Sequence, residues 1–276
     1  MPLPPPAART GRIAPTPSGF LHPGNLLNFL LNARLTGKEG RLFLRVDDLD
    51  RARFRPEYLA DIFRVVDLLD LPVTDGPRDA EDFARHWSQT TRMYLYRAAL
   101  DHLPAHPLVF PCACSRRELA TGNHPHGCLT GAVDWTAPTV AWRVDTRALP
   151  PQTLTDAGPK ATERTVDLHA TMPFFALRRK DGNPAYQLTS VVDDRHFRIN
   201  VVARGEDLVP STAAQQVVCE LLGYPLLPEW LAVVHHPLIT GADGAKLSKS
   251  AGAAGVPYVP DEEELSRLWS IVTEWA

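Results

Sequence analysis

The sequence contains no long apolar run, few cysteines and no strong excess of charge of either sign. No stretch of about 18 apolar residues occurs, so we expect no membrane-spanning helix and no membrane partner. The opening segment MPLPPPAARTGR lacks the apolar core of a secretory signal, and we therefore expect a cytoplasmic protein. The 29 basic residues nearly balance the 32 acidic ones, so a nucleic acid would have to be held by a local basic patch.

Four cysteines are present, and three of them fall within seventeen residues: Cys112, Cys114 and Cys128. In a cytosolic chain such a cluster indicates a metal site sooner than disulfides. His124 and His126 lie four and two residues before the last of these cysteines. Three thiolates and one of these imidazoles are a suitable ligand set for tetrahedral, structural zinc. Three buried cysteines without metal are the alternative.

The first part of the chain alternates between strand and helix patterns. The β-like runs GRIAP and RLFLRV are followed by helical patterns at 25–36 and 56–70, and a further helix is predicted over 88–103. This βαβα order is typical of a parallel sheet covered by helices.

The middle of the chain interrupts this alternation. It contains an isolated strand pattern, TVAWRVD, and the loop-like stretch PPQTLTDAGPKATERT, and we interpret 110–171 as an insertion. The second half of the sheet is predicted from FFALRRKDGNPAYQL, INVVARG, a helix over 212–222, and LAVVHHPLIT. The predicted divisions are therefore 1–109 for the first half of an α/β domain, 110–171 for the insertion, 172–250 for the second half, and 251–276 for a short tail with one helix.

A polar cluster stands at the start of the first predicted helix, in the sequence HPGN from His22 to Asn25. Helix N-termini leave backbone N–H groups unpaired and carry a partial positive charge, which suits a phosphate. His22 could donate to a phosphate oxygen, and Gly24 has no side chain to keep a ligand away. The alternative is structural, with Asn25 as a helix cap and His22 as a surface loop residue.

A second candidate motif is GADGAKLSKS, which follows a β-like run near the end of the chain. Its small residues allow movement, and Lys246 and Lys249 supply positive charge. A solvated surface loop is the alternative interpretation.

Five motifs, in order along 12–250, resemble those of the glutamate-specific catalytic domain of the class I aminoacyl-tRNA synthetases: RIAPTPSGFLHPGN, LRVDDLDRAR, YQLTSVVDD, VARGEDLVPST and KLSKS. The resemblance implies a Rossmann-like, doubly wound parallel sheet with a zinc-bearing α+β insertion. Because 26 residues follow Ser250, the chain most resembles the short members of this family. Those members transfer glutamate to the queuosine base in the anticodon loop of tRNA(Asp). The implied partners are L-glutamate, ATP with Mg²⁺, and tRNA(Asp) containing queuosine.

The resemblance also implies roles for individual residues in a reaction that needs no protein nucleophile. The carboxylate of glutamate attacks the α-phosphorus of ATP and gives an acyl-adenylate and pyrophosphate, so the protein positions groups and stabilises charge. The implied catalytic residues are His22, Asn25, Lys246 and Lys249, and the implied ATP-binding residues are His22, Gly24, Asn25 and Lys249. The implied glutamate pocket comprises Arg12, Ile13, Ala14, Pro15, Thr16, Asp47, Tyr186 and Arg204.

Within this pocket, charge suggests a role for each ionisable side chain. Arg12 is the expected cation for the side-chain carboxylate of glutamate, with Arg204 as a further cation, and Asp47 is the expected acceptor for the ammonium. A structural role is the alternative for each. In the insertion, the position of a metal-ligating Tyr in the short family members corresponds to His124, which we expect as the fourth zinc ligand, with His126 as its competitor.

The chain departs from the family pattern at three positions. The family usually has Glu where Asp47 stands, and full glutamyl-tRNA synthetases have Asn where Ser190 stands. The general class I signature ends in a second His where Asn25 stands, although glutamate-type relatives often have Asn or another small polar residue there. These departures keep open a non-catalytic binding protein on the same fold. Two further alternatives are a glutamyl-tRNA synthetase that charges the 3′ end of tRNA and a nucleotidyltransferase that adenylates a small acid without RNA.

Overall fold

The computed structural model describes residues 3–120, 127–157, 162–238 and 255–275. Its strands are β1 (Thr10–Ile13), β2 (Arg41–Leu44), β3 (Val73–Asp75), β4 (Val109–Cys112), β5 (Ala141–Val144), β6 (Gln152–Thr155), β7 (Glu163–Val166), β8 (Ala176–Arg178), β9 (Val201–Gly205) and β10 (Ala232–His236). Its helices are α1 (Pro23–Thr36), α2 (Pro56–Leu68), α3 (Ala80–Asp82), α4 (Met93–Asp101), α5 (Arg116–Ala120), α6 (Leu168–Thr171), α7 (Tyr186–His196), α8 (Val209–Leu221), α9 (Leu227–Trp230) and α10 (Glu262–Trp275).

The central sheet has the strand order β10-β9-β1-β2-β3, and each neighbouring pair is parallel. The chain winds outward from β1 through β2 to β3 and then returns to the other side of β1 for β9 and β10. This is the predicted doubly wound sheet. Such sheets bind ligands where the winding direction reverses, at the carboxyl ends of the strands, which here means the ends of β1 and β9.

Helix α1 lies directly on this reversal point. Its Leu26, Phe29 and Leu30 are almost fully buried, and so are most of its other apolar side chains, as expected for a helix covered on several sides. Gly11 of β1 allows the close approach, because a Cβ at that position would lie 1.9 Å from Thr36 Oγ1. Since α1 follows β1 in the chain, its N-terminus is at the carboxyl edge of the sheet.

Two smaller antiparallel units are attached to this domain. Strand β5 pairs with β4 and with β8, and β6 pairs with β7 as a hairpin. The segment FFALRR, which was predicted to belong to the parallel sheet, is therefore β8 of the antiparallel sheet instead. That sheet uses strands on both sides of position 171, and the predicted domain limits stay a prediction.

The stretch PPQTLTDAGPKATERT, which was expected to be a loop, contains β6 and all but the last residue of β7, the two strands of the hairpin. Burial alternates along β6, with Gln152 and Leu154 facing inward. The buried Gln152 accepts a hydrogen bond from Gln216 of α8 (3.2 Å). A polar residue at an inward position hides the alternation from a search for apolar residues, which explains the wrong prediction.

The helix predicted over 88–103 begins later than expected. A π-helical turn (Phe83–Trp87) and a 3-10 turn (Gln89–Arg92) precede α4. No described helix is both long enough and apolar enough to cross a bilayer.

Candidate functional site

A crevice opens between β1 and β9 at the reversal point. Within the described residues these two strands pair at one position, Gly11 with Val201. Beyond it, Asn32 of α1 takes the place of a strand neighbour, since its side chain donates to the Ala203 carbonyl (3.0 Å) and accepts from the Ala203 N–H (2.8 Å). The two strands thus separate without leaving the β9 backbone unpaired there.

A cavity of about 250 Å³ occupies this crevice. Most of the predicted glutamate and ATP residues line it: Arg12, Ala14, Pro15, His22, Gly24, Asn25, Tyr186 and Arg204. The sequence interpretation missed other residues of the wall, among them Asn28, Asp207 and His236.

Several predicted site residues do not line the cavity. Ile13 is a core residue, Thr16 is exposed, and the Asp47 carboxylate is engaged by Arg45. Lys246, Lys249 and both candidate zinc-ligating histidines, His124 and His126, lie outside the described residues. The functional roles of all these residues stay predictions.

The N-terminus of α1 is capped by hydrogen bonds between His22 and the first residues of the helix. His22 Nδ1 accepts from the Gly24 N–H (3.1 Å), and Asn25 Oδ1 accepts from the His22 N–H (3.0 Å). The structural alternative for Asn25, a capping role, is therefore present. Because Nδ1 is an acceptor, a neutral His22 ring carries its proton on Nε2. Nε2 is then the ring nitrogen that can donate to a phosphate oxygen.

The loop that carries His22 is fixed by α2 and by the tail. Asp61, a buried residue of α2, accepts a hydrogen bond from the Leu21 N–H (2.8 Å) and pairs with Arg64 (2.7 Å). Arg64 also donates to the Tyr258 carbonyl (2.8 Å). The segment after the KLSKS motif is thus linked through two side chains to the residue before His22.

Under the cavity lies a buried ionic cluster in which arginines bind carboxylates through one particular edge. In each case the Nε and Nη2 groups of the guanidinium contact the two oxygens of one aspartate: Arg12 with Asp194, Arg45 with Asp47, and Arg92 with Asp193. Such bidentate pairs fix geometry as well as charge. Three guanidinium groups therefore balance three carboxylates.

The charges in this cluster are mutually stabilised. Burial by itself would raise the pKa of Asp194, but Arg12 and Arg45 outweigh it and hold that pKa below its ordinary value. The pKa of Arg45 is raised well above the usual value, because the surrounding aspartates outweigh the effect of burial. The pKa of Asp193 is likewise held below its ordinary value, whereas at Asp47 burial outweighs Arg45 and raises the pKa of that carboxyl.

Arg204 is the exception, because no carboxylate in the described part of the chain pairs with this buried cation. Its Nη1 donates to Gln215 Oε1 (2.8 Å) and to Thr212 Oγ1 (3.2 Å). Its Nε and Nη2 are buried and have no hydrogen-bond partner in the described part of the chain. Burial lowers the pKa of Arg204, and the positive charge of Arg12 lowers it further. The edge that binds aspartate in the other three arginines is thus buried here without a partner among the described residues.

His236, at the end of β10, is a buried residue of the cavity wall that the sequence interpretation did not select. Its Nδ1 lies 2.9 Å from the Pro237 carbonyl, and its Nε2 lies 3.3 Å from Asn28 Nδ2. A ring with its proton on Nδ1 satisfies both contacts. Burial lowers the pKa of His236, so the ring is neutral at neutral pH. The sequence feature that could have drawn attention to His236 is the pair of adjacent histidines at the end of the apolar run in LAVVHHPLIT.

The three clustered cysteines meet in the structure, away from the cavity. The sulfurs of Cys112, Cys114 and Cys128 are buried and lie within 4.8 Å of one another, with 3.5 Å between Cys114 and Cys128. A tetrahedral zinc ion with Zn–S bonds of about 2.3 Å separates its sulfur ligands by about 3.8 Å, so the arrangement fits zinc. Burial, followed by the neighbouring thiols, raises the pKa of Cys114 to about 12. A cation would favour the thiolates that this environment otherwise disfavours.

Comparison with known proteins identifies the family. The family described as "tRNA synthetases class I (E and Q), catalytic domain" matches residues 9–130 and 162–265. The chain belongs to this family. It is therefore a ligase of the aminoacyl-tRNA synthetase type, as the five sequence motifs indicated.

Several relatives named Glutamyl-Q tRNA(Asp) synthetase are similar over most of the chain. The protein from Burkholderia cenocepacia (strain HI2424) is 36% identical over 260 residues, which cover 89% of this chain and 82% of that protein. The protein from Methylococcus capsulatus is 34% identical, with 97% and 83% covered.

A solved structure supports the fold. The glutamate-tRNA synthetase from Elizabethkingia anophelis has a TM-score of 0.72 at 20% identity, and the match covers 92% of this chain. The chain spans 55% of the length of that protein.

Proposed function

We propose that this ligase activates L-glutamate with ATP and transfers the glutamyl group to the queuosine base in the anticodon loop of tRNA(Asp). The observation that carries the proposal is the buried Nε/Nη2 edge of Arg204 at the reversal point of the sheet, which has no hydrogen-bond partner among the described residues. The names of the relatives, Glutamyl-Q tRNA(Asp) synthetase, support the choice of RNA.

In this proposal Arg204 binds the side-chain carboxylate of glutamate. Arg12 was the expected cation, but its corresponding edge is occupied by Asp194, which favours Arg204 as the bidentate partner. Tyr186 also lines the cavity and offers a hydroxyl to the amino acid. Glutamine would place a neutral amide against the guanidinium edge and would leave the buried charge of Arg204 uncompensated.

ATP is assigned to the other end of the cavity, at the N-terminus of α1. His22 Nε2 and the positive end of the α1 dipole would face the phosphates, and Gly24 leaves room for them. An α-carboxylate oxygen of glutamate forms a bond to the α-phosphorus, the bond from that phosphorus to the bridging oxygen breaks, and pyrophosphate leaves. Mg²⁺ would neutralise phosphate charge when bound. Lys246 and Lys249 are proposed to stabilise the leaving pyrophosphate.

Zinc is proposed as a structural ion held by Cys112, Cys114 and Cys128, with His124 as the fourth ligand. When bound, it would crosslink the end of β4 to the turn at Cys128 (Cys128–Thr130) and so stabilise a region with a small apolar core. No step of the reaction depends on it.

The proposal is tested with two assays on the purified protein. Glutamate should support exchange of labelled pyrophosphate into ATP, and glutamine should support it much less. Labelled glutamate should then be accepted by tRNA(Asp) that contains queuosine but not by tRNA(Asp) without queuosine or by tRNA(Glu). Acceptance by tRNA(Glu) would favour a glutamyl-tRNA synthetase, and activity that is unaffected by any tRNA would favour a nucleotidyltransferase.

A further inference from the structure

The guanidinium of Arg204 is held on the side opposite its unpaired edge. Both hydrogen bonds from Nη1 go to residues of α8, Thr212 and Gln215. A planar guanidinium that is fixed at Nη1 has its Nε/Nη2 edge fixed as well. A residue that orients the Thr212 hydroxyl therefore also orients the Nε/Nη2 edge of Arg204, which in our proposal binds the glutamate carboxylate.

Thr212 is the first member of a buried chain of contacts that leads out of the site. Thr212 Oγ1 lies 2.8 Å from His235 Nε2 and 3.1 Å from the carbonyl of Leu208, one turn earlier in the chain. His235 Nδ1 lies 2.5 Å from Asp156 Oδ1. His235 and Arg204 are directly paired positions on neighbouring strands. All four side chains are buried, with 8% or less of each residue exposed. Low exposure strengthens such contacts and makes a missing partner costly.

The outer end of this chain belongs to the hairpin. Asp156 immediately follows β6, and its backbone N–H bonds to the Thr162 carbonyl (3.0 Å). Arg164 of β7 lies 3.4 Å from the Asp156 carboxylate and 3.0 Å from Glu206, two residues after Arg204. The two segments that match the family, 9–130 and 162–265, do not include residues 131–161. Asp156 thus comes from a part of the chain outside the shared family pattern.

We propose that His235 and Asp156 are positioning residues that orient Arg204 through the Thr212 hydroxyl, and that they thereby set the affinity for glutamate and the preference for glutamate over glutamine. This inference rests on the proposed function, because it requires Arg204 to bind the glutamate side chain. The side-chain carboxylate is remote from the reacting carboxylate, so its contact stabilises ground state and transition state alike. Loss of such a contact raises KM and leaves kcat nearly unchanged.

The central variants are His235→Leu and Asp156→Asn. In glutamate-dependent pyrophosphate exchange we expect His235→Leu to raise the KM for glutamate by about tenfold or more, with kcat within about threefold and the KM for ATP unchanged. Asp156→Asn should shift the KM for glutamate in the same direction by a smaller factor. The ratio of kcat/KM for glutamate to that for glutamine should fall by the same factor as the glutamate affinity.

A matched control separates positioning from simple structural support. Gln216→Leu removes a buried polar contact between α8 and the hairpin, the bond to Gln152, but among the described residues the Gln216 side chain has no hydrogen bond to Arg204 or Thr212. We expect its KM for glutamate to stay at the wild-type value even where its melting temperature falls as much as that of His235→Leu. An equal rise of KM in Gln216→Leu would overturn the inference.

The route through the hydroxyl is tested at Thr212. Thr212→Ser keeps the oxygen and should retain the wild-type KM, whereas Thr212→Val should reproduce the KM of His235→Leu. The double variant Thr212→Val/His235→Leu should be no worse than either single one, because both remove the same link. Additive effects in the double variant would contradict the chain of contacts.

Direct measurement of glutamate binding by calorimetry gives a readout that does not require catalysis. The positioning role would be refuted if His235→Leu bound glutamate as tightly as the wild-type protein. The proposed function would still stand if the wild-type protein exchanged pyrophosphate. Failure of the wild-type protein to bind glutamate at all would refute both. The inference is supported if calorimetry shows that His235→Leu binds glutamate more weakly than Gln216→Leu does.

Discussion

Replacement of Arg204 by methionine should separate ligand binding from stability. In the wild-type protein the unpaired Nε and Nη2 groups would each form a charge-assisted hydrogen bond to the glutamate carboxylate. Such bonds contribute about 1.5–3 kcal/mol each. The loss of two corresponds to at least about 3 kcal/mol, or a rise of about a hundredfold in the KM for glutamate.

The same substitution should leave the folded protein about as stable as the wild type. It removes two buried donors that have no partner among residues the structure describes, which offsets the loss of the bonds to Gln215 and Thr212. The net change should therefore be within about 1 kcal/mol. Arg92→Met is the contrasting control, since Arg92 pairs with Asp193 through two hydrogen bonds. The buried Asp193 would then keep only the hydrogen bonds from Tyr96 and Gln89 and the more distant Arg45 (3.8 Å), and the loss of its paired cation should cost about 3–5 kcal/mol.

Two measurements decide the outcome. Urea denaturation gives the free energy of unfolding, and thermal melts with and without glutamate report binding, because a ligand at 100 times its Kd adds about 2.7 kcal/mol to stability. Arg204→Met should melt like the wild type without glutamate and should gain nothing from adding it. The reasoning would be refuted if glutamate stabilised Arg204→Met as much as the wild type, or if Arg204→Met were destabilised as much as Arg92→Met.

Three further predictions concern the neighbouring sites. Gly24→Ala places a Cβ about 3.0 Å from the His22 ring, so it should lower kcat or raise the KM for ATP in pyrophosphate exchange while calorimetry shows unchanged glutamate affinity. Acidification should destabilise the protein: the folded-state pKa of Asp194 lies below its ordinary value of 3.8, so the unfolded chain binds protons first. The urea midpoint should therefore stay constant from about pH 7 to pH 5 and fall below about pH 4, and a midpoint that rises on acidification would contradict this. Metal analysis should find one zinc per chain, and Cys128→Ser should abolish it and lower the melting temperature, whereas Cys219→Ser should keep the zinc.

The sequence predicted the elements whose local pattern is strong. Strands β9 and β10 and helices α1 and α10 lie close to the predicted segments, because apolar periodicity and helix-end residues are visible locally. The parallel order also followed from the alternation of the two kinds of pattern. Strand β8 was assigned to the wrong sheet, since three residues carry no information about which strand they pair with.

Contacts between distant positions account for what the sequence could not show. The pairing of Arg12 with Asp194 joins residues 182 positions apart, so no local pattern reveals that the expected carboxylate-binding edge is already occupied. Asp47 was expected to accept hydrogen bonds from the ammonium group of glutamate. Its two hydrogen bonds with Arg45 depend on side-chain geometry, which the sequence does not show. The sequence could place arginines near the site, but their hydrogen-bond partners decide which one is available to a ligand.

The most direct test of the central claim is the location of labelled glutamate on tRNA(Asp). The tRNA, isolated with queuosine in its anticodon, is incubated with the protein, ATP and labelled glutamate and then cut with a nuclease into anticodon and 3′ fragments. We predict that the label stays with the anticodon fragment and is absent from tRNA without queuosine. Label on the 3′ terminal adenosine would contradict the proposed transfer.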